Sequence, residues 1–260
     1  VRNDGFSAFG ADKKYGTFPS VGLGWAVSQE KFMKNISWIN YLKLRLSWGK
    51  NGNRGIDSYT SLSNMDLTQF VYGDGGSSSI GLYPTSMANP DLGWETSSSY
   101  NLGVDFSVFN SRISGALDVY TTKTTDLLLK VRIPNMSGYE TFLSNIGETS
   151  NKGIEITINT ENIKTKDFSW NSTLVFSSNF NKILHLTGED LNGDGKEDDD
   201  LASKWFIGYS LGSNYDYVFD GIWQEGDDFS IDKSARPGDI KFKDLSGNGS
   251  IGPEDRMVLH

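Results

Sequence analysis

The segment Asp244-Leu245-Ser246-Gly247-Asn248-Gly249-Ser250-Ile251-Gly252-Pro253-Glu254-Asp255 has the spacing of a calcium loop. Asp244, Ser246 and Asn248 put side-chain oxygens at positions 1, 3 and 5. Gly249 falls at position 6 and the Asp255 carboxylate at position 12. Calcium takes about six to eight hard oxygens, and the glycine permits the bend that gathers them. Ser250, at position 7, would supply its carbonyl. Asp stands at position 12, where a longer Glu is usual. The same residues also describe an Asx-rich turn held by its own hydrogen bonds. A second stretch, Asp190-Leu191-Asn192-Gly193-Asp194-Gly195-Lys196-Glu197-Asp198, opens the same way. Asp190, Asn192, Asp194 and Asp198 are its candidate ligands, but Leu201 falls at position 12, and a solvated acidic loop competes with a metal site there.

Aromatic residues form two sets. Trp25, Trp38, Trp48, Trp94 and Trp170 sit at the ends of alternating segments, where a membrane barrel places interfacial rings. Tyr59, Tyr72, Tyr83, Tyr139, Trp205, Tyr215 and Tyr217 lie between such segments. They are candidates for contact with a substrate or a partner lid, against the simpler alternative of packing among loops. Catalytic constellations are poor. His185 and His260 are the only histidines, and neither sits in a motif. Acidic residues are common, but they cluster in loops that offer no apolar pocket to raise a carboxyl pKa for glycoside hydrolysis. No phosphate-cradling glycine loop lies between a strand and a helix. The expectation is a protein that is not an enzyme.

Composition narrows the class. The 260 residues are 37% hydrophobic and 13% aromatic, with 29 glycines and 6 prolines. No run approaches the roughly 20 apolar residues of a membrane helix, so a membrane role requires a barrel. Without cysteine, disulfides, cysteine zinc sites and thiol catalysis are excluded. A net charge of -9 disfavours nucleic acid as a partner. The acidity gathers in residues 189–200 and 226–255, which are loops. Val1 opens directly into polar sequence, so the chain is expected to be a processed form or an internal piece of a longer protein.

The elements that position these residues are strands. Tyr100, Leu102, Val104, Phe106 and Val108 alternate with Asn101, Gly103, Asp105 and Ser107. Strict period two gives a sheet one apolar and one polar face. Similar strands are expected over residues 18–27, 42–48, 94–108, 112–122, 154–159 and 170–180, with strand character at 215–223. The second of these is expected to stop at Gly49-Lys50-Asn51-Gly52. Short connections at 28–41, 110–111 and 162–167 alternate with long ones at 53–92, 124–145 and 184–237, the first of the long ones reading as loop throughout. An up-and-down transmembrane barrel puts short turns on the periplasmic side and long loops outside. A soluble sheet can also alternate its faces, which leaves open a secreted, calcium-stabilised β-sandwich that binds carbohydrate.

A family likeness runs through the same residues. Asn89-Pro90-Asp91-Leu92-Gly93-Trp94-Glu95-Thr96, Phe109-Asn110-Ser111-Arg112 and Tyr120-Thr121-Thr122-Lys123-Thr124-Thr125-Asp126-Leu127-Leu128-Leu129 resemble the SusC/RagA family of TonB-dependent outer-membrane transporters of Bacteroidetes. Leu42 to Gly49, Asn151-Lys152-Gly153-Ile154-Glu155, Gly221-Ile222-Trp223-Gln224 and Arg236-Pro237-Gly238-Asp239 agree in the same order. The resemblance covers essentially the whole chain. It implies an all-β, antiparallel up-and-down transmembrane β-barrel, of which residues 1–260 are a mid-to-late part. The plug domain, the N-terminal extension with its TonB box and the terminal strands are expected outside this chain. It also implies import of an oligosaccharide or peptide across the Gram-negative outer membrane. The implied partners are a SusD-like surface lipoprotein, the TonB complex and membrane lipid. Lys43, Arg45, Asn101, Asp105, Asp118, Glu155 and Asn171 would then line the path or grip the plug, and any Ca2+ would sit in extracellular loops.

Overall fold

The computed structural model describes residues 1–73, 76–133, 135–139 and 141–259. Two compact units are present, Val1–Asp198 and Asp199–His260. In chain order, the first contains β1 (Arg2–Gly5), β2 (Tyr15–Phe18), β3 (Ser20–Trp25), β4 (Ile39–Asn53), β5 (Asn64–Tyr72) and β6 (Ser77–Ser86). It continues with β7 (Glu95–Val108), β8 (Ile113–Thr125), β9 (Leu128–Arg132), β10 (Thr141–Asn145), β11 (Glu148–Lys164) and β12 (Ser169–His185). The second unit holds β13 (Asn214–Tyr217), β14 (Phe219–Ile222), β15 (Ile240–Phe242) and β16 (Arg256–Leu259).

The frame of the first unit is a six-stranded sheet in the order β12-β11-β8-β7-β4-β3. Every pairing in it is antiparallel, as the sequence predicts for an up-and-down wall. The register stacks the alternating residues into rows. Leu23, Leu46, Leu102, Val119 and Ile154 are successive cross-strand partners. So are Trp25, Leu44, Val104, Leu117, Ile156 and Phe176. A one-residue slip would turn the whole apolar set to the other side, so these rows hold the register.

Connections at one end of the sheet are residues 26–38, 109–112 and 165–168, and at the other end 54–94 and 126–147. The short end closes tightly. Phe109, Asn110 and Ser111 all have left-handed backbone, with φ of 55, 56 and 62°. Asn tolerates that region well. Phe109 is held there by its N–H, which donates to the Trp38 carbonyl, and by its ring, stacked on Trp38 with centroids 5.8 Å apart.

Several expectations from the sequence are corrected, among them the strands at 154–159 and 170–180, which run over Glu148–Lys164 and Ser169–His185. The strand at 42–48 does not stop at Gly49: β4 runs to Asn53, because residues 49–53 pair with Ser99 through Glu95 of β7. Pairing thus overrides the weak strand propensity of Gly and Asn. The stretch 53–92 is not all loop, since β5 and β6 form a hairpin within it. A second hairpin, β9 with β10, lies within 124–145. The segment 18–27 splits at Pro19, which cannot donate to a ladder but still accepts the Lys50 N–H at 2.9 Å. A β-sandwich is also ruled out as the frame. A sandwich buries the apolar face of each sheet, yet here Leu23, Leu46, Leu102 and Phe176 are exposed. Among the described residues, buried apolar side chains occur in each unit. Phe9, Phe18 and Leu92 lie in the first unit, with Ile183 and Leu186 where β12 ends. Phe206, Trp223 and Val258 lie in the second unit.

Candidate functional site

The outer face of the sheet is apolar along its middle and aromatic at both ends. Trp48 and Tyr100 are cross-strand partners near the long-loop end, in a row that ends at Phe180 on β12. At the short-turn end stand Trp25, Trp38, Phe109 and Trp170, all about half exposed. Phe180 and Trp170 are ten residues apart on β12. At about 3.3 Å per residue and the tilt of about 40° that barrel strands take, that separation would be roughly 25 Å along a barrel's axis, the height of a membrane barrel's apolar band. Trp94 does not belong to this girdle. Its ring packs on Phe9 and Phe18 with centroids 5.2 and 5.4 Å away, and its Nε1–H donates to the Lys14 carbonyl.

The opposite face is polar and satisfied by cross-strand pairs. Ser97 meets Thr124 and Ser99 meets Thr122, each at 2.8 Å. At its centre Arg45 on β4 donates two hydrogen bonds to Asp105, at 2.9 and 3.0 Å, and one to Asp118 at 2.9 Å. Arg45 must cross β7 to reach β8. The residue of β7 between Arg45 and Asp118 in the register is Gly103. A Cβ there would stand 2.6 Å from the Arg45 guanidinium carbon and 2.7 Å from Asp118 Oδ1. Gly103 is therefore the passage that lets one guanidinium bridge three strands. Glu155, the cross-strand partner of Asp118, is exposed on the same face. Of the other polar residues read from the sequence, Lys43, Asn101 and Asn171 share it by register.

At the long-loop end, three distant segments meet. Ser61 Oγ donates to the Ala8 carbonyl at 2.6 Å, Gly10 N–H to Leu92 O at 2.9 Å, and Asn89 N–H to Ser61 O at 3.0 Å. They enclose a cavity of about 580 Å³ lined by residues that include Phe9, Lys14, Tyr59, Leu62 and Pro90. Tyr59 is highly exposed and has φ of 69°, a conformation that costs a non-glycine residue on the order of 1 kcal/mol. Of the other loop aromatics, Tyr83 is exposed on β6 and Tyr139 is half-buried. The Tyr72 side chain lies outside the described residues. Trp205 is half-buried beside its β-bridge to Asp200. Tyr215 packs on Phe206 at 4.7 Å, and Tyr217 lies between Phe242 and the Arg256 guanidinium at 5.1 and 4.7 Å. Those last two rings are in use within their own unit.

The two Asp-rich loops follow one backbone path. Asp244 accepts the N–H groups of Gly247 and Gly249, at 2.6 and 2.8 Å. Asp190 accepts those of Gly193 and Gly195, at 2.7 and 2.9 Å. Asn248 Oδ1 receives Ser250, and Asn192 Oδ1 receives Asp194. Asp255 is wholly buried. It accepts N–H groups from Leu245, Ser246 and Gly252, at 2.9, 2.8 and 2.8 Å. Those backbone donors, Gly252 first and Ser246 next, hold its carboxyl below the usual carboxylate range. Asp198 likewise accepts the Leu191 N–H. Among the described residues, no group of three or more His, Cys, Asp or Glu converges on a metal position. His185 is tied to Glu197, which also accepts the N–H groups of Leu186 and Gly188 where β12 ends.

What sequence reading missed is the cavity. Its walls are mostly alanine, serine, glycine and backbone, with no spacing to mark them. An available signal was Tyr59, a ring set between Ser58 and Thr60.

Comparison with known proteins matches this geometry. A family model described as TonB dependent receptor-like, beta-barrel, matches residues 1–253. The chain is 38% identical over 264 residues to the TonB-dependent receptor P26 of Formosa agariphila, covering 99% of this chain and 26% of that protein. It is 34% identical over 275 residues to the TonB-dependent receptor SusC of Bacteroides thetaiotaomicron, again covering 99% and 26%. It superposes on the RagAB peptide importer in its closed-closed state with a TM-score of 0.76 and 25% identity, over 99% of this chain and 27% of that one. The chain thus spans about a quarter of the length of these relatives. The two-faced antiparallel wall and the match along nearly all of the chain lead to one conclusion: the chain belongs to the TonB dependent receptor-like β-barrel family.

Proposed function

We propose that this chain is part of the wall of an outer-membrane transporter that imports a bulky nutrient, an oligosaccharide or a peptide, with energy supplied through TonB. The observation that carries the proposal is the sheet itself. Its exposed face is apolar over about 25 Å and bounded by aromatic rings, and its other face is hydroxyl-rich and ion-paired. Such a wall suits lipid on one side and a polar lumen on the other. Likeness to SusC and to RagAB supports a surface lipoprotein of SusD type as partner and an outer membrane of Bacteroidetes type as location. The long-loop end, with Tyr59 and the β5–β6 hairpin, is the side that would meet that partner and the nutrient. A calcium ion in the Asp244–Asp255 loop is a subsidiary part of the proposal. Its support is the ligand spacing and the backbone path shared with the Asp190 loop, and binding would require Asp255 to exchange backbone donors for metal.

The test uses the full-length protein. It should fractionate with outer membranes and require detergent for extraction. Uptake of a labelled oligosaccharide or peptide pool should fall on deletion of its gene and on loss of TonB. Recovery as a monomer in water without detergent would refute the transporter.

A further inference from the structure

The cavity at the long-loop end carries chemistry that the wall does not explain. Its volume, about 580 Å³, lies in the range of small-ligand sites. It is built in advance: segments 7–14, 58–62 and 88–92 are joined by the Ser61–Ala8, Gly10–Leu92 and Asn89–Ser61 hydrogen bonds. Gly10 allows the closest of these approaches, since a Cβ there would collide with the Pro90 carbonyl. Most of the lining is small or apolar. The charged residue in it is Lys14, which is half-buried and has no carboxylate within ion-pair distance among the described residues.

A second cavity, of about 370 Å³, is lined by Arg2, Asp4 and Arg54 among others. Trp94 lines this second cavity, and its Nε1–H and the Phe6 N–H both donate to the carbonyl of Lys14, which lines the first. Arg2 is paired with Asp4 at 2.7 Å. Arg54 has no carboxylate partner among the described residues and lies over the Phe6 ring at 4.8 Å. Asp12 and Asp57 are near in sequence but line neither cavity. In a chain of net charge -9, each cavity therefore carries one cation without a carboxylate partner among the described residues, Lys14 in the first and Arg54 in the second.

We infer that the larger cavity receives a carboxylate-bearing end of the nutrient, with Lys14 taking the anion and the Tyr59 ring covering the adjoining apolar surface. The inference rests on the transporter proposal for its ligand. A carboxylate can come from an acidic sugar or from a peptide C-terminus, and both have the required chemistry. A half-buried ammonium without a partner favours either over a neutral glycan. The left-handed backbone of Tyr59 is compatible with the same role, since strained residues cluster at functional sites, ligand clamps among them.

The test is calorimetric titration of the detergent-solubilised full-length protein with four probes. These are a short oligoglucuronate, the neutral glucose oligomer of equal length, a short alanine peptide with a free carboxylate and the same peptide amidated. The expected result is binding of at least one carboxylate probe, weaker at high salt, with its uncharged counterpart about 10- to 100-fold weaker. Which charged probe binds identifies the source. Lys14→Met should lose the same factor and Lys14→Arg should recover most of it. Tyr59→Gly, which accepts the left-handed backbone without strain, should weaken binding while leaving thermal unfolding unlowered. Equal affinity for charged and neutral probes, no effect of Lys14→Met, or binding of neither charged probe overturns the inference. TonB-dependent uptake that persists unchanged in Lys14→Met would overturn the cavity and leave the transporter standing. A protein that needs no detergent would overturn the transporter, whatever the cavity binds.

Discussion

Replacing Phe176 by arginine separates a membrane wall from a sheet in water. Phe176 is exposed on β12, on the same face as Phe180 and Trp170. It lies four residues from the first ring and six from the second. Each residue advances about 2.5 Å along the normal of a tilted barrel, which puts Phe176 roughly 10 Å from one end of the apolar band and 15 Å from the other. That is close to the bilayer midplane, where an arginine on the lipid face costs about 2–4 kcal/mol. The folded-to-unfolded ratio should then fall roughly 30- to 900-fold. Phe180→Arg, at the interface, should cost about 0–1 kcal/mol. Val175→Arg sits one residue away, more exposed and on the polar face, and should stay within about 0.5 kcal/mol. The assay is urea unfolding of the full-length protein in lipid vesicles, followed by tryptophan fluorescence. In water all three positions are merely exposed apolar side chains, and charging them should cost little and alike. Equal costs at 175 and 176, or a larger cost at 180 than at 176, would refute the lipid assignment of this face.

Gly103→Ala should destabilise by about 1–2 kcal/mol, because its Cβ displaces Arg45 from Asp118. Arg45→Met should cost a similar amount after allowance for solvent screening. The double variant should cost little more than either, and additivity in urea unfolding would show that the two do not share one network. The Asp255 carboxyl is held below its ordinary range when folded, so its stabilising effect is complete above the unfolded carboxylate pKa of about 3.9. The effect is lost as pH falls further, through the folded pKa. Amide exchange across residues 244–256, corrected for intrinsic rates, should therefore lose protection only below about pH 4. In Asp255→Asn the protection should be low at every pH, and full protection in that variant would show that the carboxylate does not organise the loop.

Strands of the wall were legible because a barrel imposes period two on both of its faces. Residues 100–108 show it without a break, and their register is as the pattern requires. The segregation of short and long connections was legible for the same reason, although strand ends were missed by up to six residues, as where the strand expected over 154–159 runs over 148–164. The β5–β6 hairpin was not. Met65, Leu67 and Val71 share a face, but Phe70 on the other face breaks the alternation, and β6 opens with three serines. The last residues of β4 were hidden because Gly, Lys and Asn become strand only when β7 supplies the partner.

The polar face shows a deeper limit. Arg45, Gly103 and Asp118 read separately as a charge, a small residue and a charge on three alternating strands. Their joint role exists only in register, where one row brings together residues 58 and 15 positions apart in the chain. Alternation reports which face a residue takes, but a bridge across three strands also requires an empty place in the middle one. That place is recognisable once strand pairing is known, since a glycine within an otherwise regular strand weakens it unless something fills the gap. Here the Arg45 side chain fills the gap. On the polar face of this wall, Gly103 therefore marks the point where a long side chain crosses between strands.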